Sequence, residues 1–96
     1  MPAYVIADVE VSDPAKYEGY KALSPGAVAA AGGKFLARGG ETAVLEGDWA
    51  PARVVVIEFA SVSAARAFYD SELYLQARAK RAGATKRFNM IVVQGV

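Results

Sequence analysis

The sequence contains neither cysteine nor histidine, and these two absences exclude much of enzyme chemistry. Without cysteine the chain forms no disulfide and offers no thiol nucleophile. Without histidine it lacks the commonest acid-base group, a frequent haem ligand and the usual nitrogen ligand of zinc. We therefore expect no metal and no cofactor, and catalysis would have to use a carboxylate or a tyrosine.

Charge of one sign and long apolar runs are also scarce. Lys and Arg number 11 against 10 Asp and Glu, so the net charge is only +1. Neither nucleic acid nor an acidic membrane is therefore an expected partner. The first residues enter an alternating segment without a basic region or a long apolar run. We expect no secretion signal and no membrane span, and hence a cytoplasmic location.

Hydrophobic residues, by contrast, are abundant. They make up 54% of a chain of 96 residues, which is the length of a single domain, here residues 1–96. A domain this small has a thin core, so part of its apolar surface must be covered by something else. The simplest cover is a second copy of the chain, and we expect a homodimer.

The first half of the chain predicts a strand, a helix and a hairpin. Alternating side chains predict a strand over Ala3–Val11, and Asp13-Pro14 begins a helix that ends at Gly32-Gly33. Ser24-Pro25-Gly26 should divide this helix into two pieces. A second strand follows over Lys34–Arg38. We expect a bulge at Gly39-Gly40, continuation of the strand over residues 42–46 and a turn at residues 47–51.

The second half repeats this order. Arg53–Phe59 and residues 86–93 predict strands that are apolar on both faces, and Ser61 or Ser63 caps a helix that breaks at Asp70-Ser71. The order β-α-β-β-α-β predicts an α+β, ferredoxin-like fold with a four-stranded antiparallel sheet and both helices on one face. The other face would pack against the sheet of a second subunit.

Several local stretches resemble a known family. They are Tyr4-Val-Ile-Ala-Asp8, Asp13-Pro14 with Tyr17 and Tyr20, Gly32-Gly33-Lys-Phe, Arg38-Gly-Gly40, Leu45-Glu-Gly-Asp-Trp49, Glu58-Phe59, Ala64-Ala-Arg-Ala-Phe-Tyr69-Asp-Ser71, Tyr74 and Arg78. Together they resemble the domain of unknown function DUF1330 over essentially the whole chain. Members of that family often carry Trp where this chain has Tyr69.

The resemblance implies the fold of the dimeric α/β-barrel proteins. That group includes cofactor-free monooxygenases, haem-degrading enzymes, muconolactone isomerases and small stress proteins. The resemblance carries no established activity with it.

Asp8 and Glu58 are the candidate catalytic residues, because both are carboxylates in otherwise apolar strands. A hairpin that turns at residues 47–51 would bring Arg38 beside Glu58. The three side chains would then form a polar cluster in which a carboxylate acts as a base and Arg38 holds an anionic oxygen. The structural alternative is a set of ion pairs at the dimer seam, which is common for buried charges.

Candidate ligand-binding residues are Arg38, Tyr20, Trp49, Tyr69, Tyr74 and Arg78. Tyrosines on helices usually pack in a core, and only some line a ligand site. Trp49 on the hairpin tip either contacts the partner subunit or closes a pocket. Arg78 near a helix end either binds carbonyl groups there or binds an acid.

Three functions remain open from the sequence. The first is a homodimer that binds a small organic metabolite in a pocket between the sheet and the helices. The second is a cofactor-independent monooxygenase or isomerase with a carboxylate base. The third is a structural or stress-related dimer without a ligand. A pocket with converging polar groups would favour the first two.

Overall fold

A computed structural model describes residues 1–96 and contains four strands and three helices. The strands are β1 (Ala3–Val11), β2 (Lys34–Arg38), β3 (Arg53–Phe59) and β4 (Thr85–Gln94). The helices are α1 (Pro14–Ala30), α2 (Val62–Tyr69) and α3 (Glu72–Arg81). Their order along the chain, β1-α1-β2-β3-α2-α3-β4, confirms the prediction, with the second helical element split at Asp70-Ser71.

The sheet is antiparallel and has the strand order β2-β3-β1-β4. Val5, Ala7 and Val9 are buried on one side of β1, where they pack with residues of all three helices. We call this side the helix face. The opposite side, here the open face, carries Tyr4 and Ile6 of β1 and has no helix over it. The ferredoxin-like α+β fold is thereby confirmed.

The helices begin where short polar side chains satisfy free backbone donors. The Asp13 carboxylate accepts a hydrogen bond from the Lys16 backbone N–H at 3.0 Å. The Ser61 hydroxyl accepts a hydrogen bond from the Ala64 backbone N–H at 3.0 Å, and the Ser71 hydroxyl accepts one from the Tyr74 backbone N–H at 3.2 Å. These caps stabilise each helix by about 1 kcal/mol. Of the two serines considered for α2, Ser61 is therefore the cap.

Helix α1 is continuous, so the predicted division at Ser24-Pro25-Gly26 is wrong. Pro25 has no N–H and leaves the Lys21 carbonyl, four residues earlier, without its helical donor. The Arg38 guanidinium donates to that carbonyl instead, with Nη2 3.1 Å from the oxygen. A side chain from β2 thus replaces the missing hydrogen bond and allows the helix to continue.

The segment between β2 and β3 also differs from prediction. Residues 42–46 do not continue the strand, and residues 39–52 form an irregular connection. The bulge lies at Leu36, which the pairing of β2 with β3 skips. Gly39, predicted as the bulge, has a φ of 72° and ends the strand. A bulge shifts every later side chain to the other face of the sheet, so it changes where Arg38 points.

None of the three helices combines the length and the apolar character that crossing a membrane requires.

Candidate functional site

Asp8 lies on the open face in a network of hydrogen bonds. Its carboxylate accepts from Arg87 Nη2 at 3.1 Å and from Trp49 Nε1 at 3.2 Å. Arg87 Nη1 also donates to Glu10 at 3.2 Å. The pairing of β1 with β4 sets Glu10 directly opposite Arg87, and residues two apart on a strand share a face. One guanidinium therefore bridges two carboxylates of β1.

This environment keeps Asp8 ionised. Removal of water from the carboxylate opposes ionisation, but the hydrogen bonds from Trp49 and Arg87 outweigh it, and the net effect lowers the pKa of Asp8. A general base works best when its pKa lies near the working pH. The geometry around Asp8 therefore favours the structural alternative, an ion pair on the open face.

Acid is expected to release Trp49 from Asp8. Because the folded protein lowers the pKa of Asp8 below its ordinary 3.8, the stabilisation is complete above that pH and is lost as the pH falls further. Trp49 is the single tryptophan, so its fluorescence reports the contact. A titration should show a transition with a midpoint below pH 3.8, and Asp8→Asn should remove it. A midpoint above that value would contradict the assignment.

Glu58 and Arg38 do not form the predicted contact. Glu58 shares the open face with Asp8, as expected, but it pairs with Tyr4, whereas Asp8 pairs with Val54 at the other end of the strands. Burial, together with the Glu58 carboxylate nearby, raises the pKa of Tyr4. Arg38 pairs with Val55, which belongs to the helix face, because the bulge at Leu36 reverses the side on which Arg38 emerges. The three-residue cluster is therefore absent.

Two predicted ligand residues, Tyr20 and Tyr74, form a buried pair between α1 and α3. Their hydroxyl oxygens are 2.7 Å apart, and Tyr17 packs on Tyr20 with ring centroids 5.2 Å apart. Burial, and then the Tyr74 hydroxyl, raises the pKa of Tyr20 far above its ordinary value. The Tyr20 phenol therefore stays protonated, and one hydrogen bond joins the two hydroxyl groups inside the core.

A cavity of about 20 Å³ lies between α1 and the helix face of the sheet, beside this tyrosine pair. Its polar lining includes three cations, Lys21, Arg38 and Arg53, and no carboxylate. Lys21 pairs with Glu18 outside the cavity, whereas Arg38 and Arg53 form no salt bridge. The Nε atom of Arg53 is buried and has no hydrogen-bond partner. The cavity is therefore an electropositive site built on an apolar and aromatic base.

Glycine at position 39 helps to position Arg53 at this cavity. A Cβ atom there would collide with the Arg53 guanidinium, which lies close to the end of β2. The guanidinium carbon also lies 5.8 Å from the centre of the Tyr17 ring. Arg53 is thus held between a glycine and an aromatic ring, with its charge directed at the cavity.

The remaining predicted residues lie elsewhere. Arg78 stacks on Tyr69 with its guanidinium carbon 4.2 Å from the ring centre, in a groove along β4. Trp49 is on the connection between β2 and β3, with 61% of its surface exposed. The predicted set therefore divides among the cavity, the groove and the open face. No cluster of three potential metal ligands is formed.

Sequence reasoning missed Arg53 and Arg87. Arg53 lies an even number of positions before the core residues Ile57 and Phe59, so all three side chains point to the same side of β3. A charged residue on the buried side of a strand is a signal that the sequence already contained. Arg87 had no such signal. Its role depends on the register of β4 against β1, which brings it opposite Glu10.

The family model for a domain of unknown function, DUF1330, matches residues 2–96. No curated protein matches the sequence significantly.

Solved structures share the fold at low identity. A protein of unknown function from Rhodopseudomonas palustris is 21% identical with a TM-score of 0.76, over 99% of this chain and 82% of that one. A dimeric ferredoxin-like protein of unknown function from Thermobifida fusca is 19% identical with a TM-score of 0.65, over 97% and 90%. SnoaB, a cofactor-independent oxygenase from Streptomyces nogalater, is 14% identical with a TM-score of 0.66, over 99% and 93%. At such identities the likeness establishes the fold alone.

Proposed function

The chain belongs to DUF1330, a family of domains of unknown function, and from that premise we propose that it is a cytoplasmic homodimer that binds a small organic acid in each subunit. The acid group would lie at the cavity between α1 and the sheet. One observation carries this proposal: Arg38 and Arg53 face the same cavity, and neither has a carboxylate partner.

Two uncompensated guanidinium groups favour an anionic ligand. Guanidinium binds a carboxylate through two parallel N–H···O bonds, which are stronger than hydrogen bonds between neutral groups. Arg38 uses one N–H on the Lys21 carbonyl and retains other donors, and the buried Nε of Arg53 is unused. A carboxylate between them would satisfy donors that otherwise have no partner.

The size of the cavity limits the ligand. A space of about 20 Å³ admits roughly one water molecule, so it holds the acid group and not a whole metabolite. The body of the ligand would lie at the mouth, between Lys21 on α1 and the end of β2. We therefore expect short-chain acids to bind better than bulky branched ones.

The dimer would form through the open face. Ile91 and Val93 of β4 are 61% and 46% exposed in the single chain, and Ile6 and Val56 lie on the same face. A second sheet packed against these side chains would remove them from water, which contributes about 25 cal/mol per Å² of apolar surface. The T. fusca neighbour is described as dimeric, which supports a homodimer.

A cofactor-independent oxygenase or isomerase is the second candidate. Glu58 favours it, since this carboxylate forms no salt bridge and lies beside Tyr4 on the open face. The fold shared with SnoaB is compatible with this candidate. Glu58→Gln should then abolish turnover and leave the dimer folded, whereas loss of stability alone would support a structural dimer.

Removal of the Arg53 charge is expected to weaken acid binding at the cavity. Propionate titrated into the full chain should shift the amide NMR signals of Gly39 and Ser24. Arg53→Gln and Arg38→Gln should each weaken binding roughly tenfold or more, because each removes a charge-assisted hydrogen bond worth about 1.5–3 kcal/mol. Lys34→Gln, also on β2 but not among the residues that line the cavity, is the matched control and should bind normally. Equal binding by all variants would refute the proposal.

A further inference from the structure

A groove runs along β4 on the side of the molecule formed by α2 and α3. Its volume is about 710 Å³, within the range of pockets that hold drug-sized molecules. Phe68, Phe88 and Met90 line both this groove and the small cavity, so the two spaces adjoin at these side chains. The groove differs from the acid site proposed above because none of the cations of the cavity lines it.

The groove is positively charged. Arg66, Arg78 and Arg81 line it, and Asp70 is the single acidic residue among its lining residues. None of the three arginines forms a salt bridge. The Nε atom of Arg81 is buried and has no hydrogen-bond partner. Three guanidinium groups with one carboxylate nearby leave an excess positive charge that an anion would neutralise.

Two of these arginines lie over aromatic rings of the groove. The Arg81 guanidinium carbon is 3.7 Å from the centre of Phe88, and that of Arg78 is 4.2 Å from the centre of Tyr69. A guanidinium held over a ring keeps its orientation, and the N–H groups at its edge can donate to a carboxylate. Arg81 also lies over Tyr20, 5.4 Å from that ring centre, so both of its faces are taken by the protein. Arg78 lies over Tyr69 alone, and its other face can stack on a planar ring.

We propose that this groove is a second binding site, for a planar aromatic molecule that carries a carboxylate. The ring lies against Met90 and the Arg78 guanidinium, which exclude water from its faces. The carboxylate accepts hydrogen bonds from Arg81 and Arg78. An aliphatic acid would lack the stacking, and a neutral aromatic molecule would lack the charge.

The test uses naphthoate as the probe and the full chain as the protein. Naphthoate should shift the amide NMR signals of Tyr69 and Asn89 in the groove, and naphthalenemethanol, its neutral analogue, should bind roughly tenfold more weakly or worse. Arg81→Gln and Arg78→Gln should each weaken naphthoate binding by a similar factor. Lys80→Gln is the matched control on α3, since Lys80 packs toward Gly19 of α1 and away from the groove.

Three outcomes would overturn the proposal. The first is equal binding of the neutral analogue, and the second is a naphthoate response confined to Gly39 and Ser24 at the cavity. The third is occupation of the groove by a second copy of the chain. It would appear as a rise in mass by light scattering together with loss of the naphthoate shifts at Tyr69 and Asn89. Propionate binding at the cavity is measured separately, so either site can fail without the other. If Arg81→Gln does not fold, the test rests on Arg78→Gln, since Arg78 lies over the more exposed ring of Tyr69. Unchanged naphthoate binding by that variant would overturn the proposal.

Discussion

Val56→Asp is expected to convert the dimer into a monomer at micromolar concentration. Val56 lies on the open face in the middle of β3, opposite Ile6 of β1 and Ala37 of β2. A carboxylate there would be buried without a partner when two sheets pack together, at a cost of about 3 kcal/mol or more for each subunit. With two subunits the cost is about 6 kcal/mol, and since about 1.4 kcal/mol is a tenfold change, dimer affinity should fall roughly ten-thousandfold or more. Light scattering measures the mass directly.

Leu75→Asp is the matched control for this substitution. Leu75 lies on α3, with 47% of its surface exposed, on the side of the molecule away from the open face. The same change in charge there should leave the dimer mass unaltered. A dimer that persists in Val56→Asp, or a monomer in the unaltered protein, would mean that the open face is not the seam.

Tyr74→Ala is expected to lower the free energy of unfolding by about 3–5 kcal/mol, as for other large aromatic residues truncated in a core. Tyr74 is fully buried, and its ring centre is 4.3 Å from that of Phe68. Truncation would leave a cavity at the junction of α1, α2 and α3 and would also remove the partner of the Tyr20 hydroxyl. Denaturant unfolding followed by circular dichroism gives the change.

The hydroxyl pair can be separated from the packing by conservative substitution. Tyr74→Phe keeps the ring but leaves the Tyr20 hydroxyl buried without a partner, which costs about 1–3 kcal/mol. Tyr20→Phe should cost a similar amount. The double variant removes both hydroxyls and should be less destabilised than the sum of the two single changes. Additive losses would show that the two hydroxyls do not depend on each other.

The elements of this fold were predictable because the sequence signals that define them are local. Alternation along β1, the caps at Asp13 and Ser61, and the positive φ of Gly32 each depend on residues within a few positions of one another. Strand parity is equally local, and it correctly assigned Asp8 and Glu58 to one face of the sheet. Order of elements, fold class and most element boundaries follow from such signals.

Arg38 shows what the local sequence left undetermined. Its face depends on a bulge at Leu36, and the position of a bulge is set by how two strands pair. The continuity of α1 past Pro25 likewise depends on a donor from β2, Arg38, which is seventeen positions from the Lys21 carbonyl that it binds. The candidate sites also depend on contacts between residues that are distant in sequence. The folded chain brings Arg53 to the same cavity as Arg38. It also places Arg78 and Arg81 together in the groove along β4. Sequence alone therefore determined the elements and their buried sides, whereas the tertiary structure decided which charges share a space, because pairing register and side-chain direction are long-range properties.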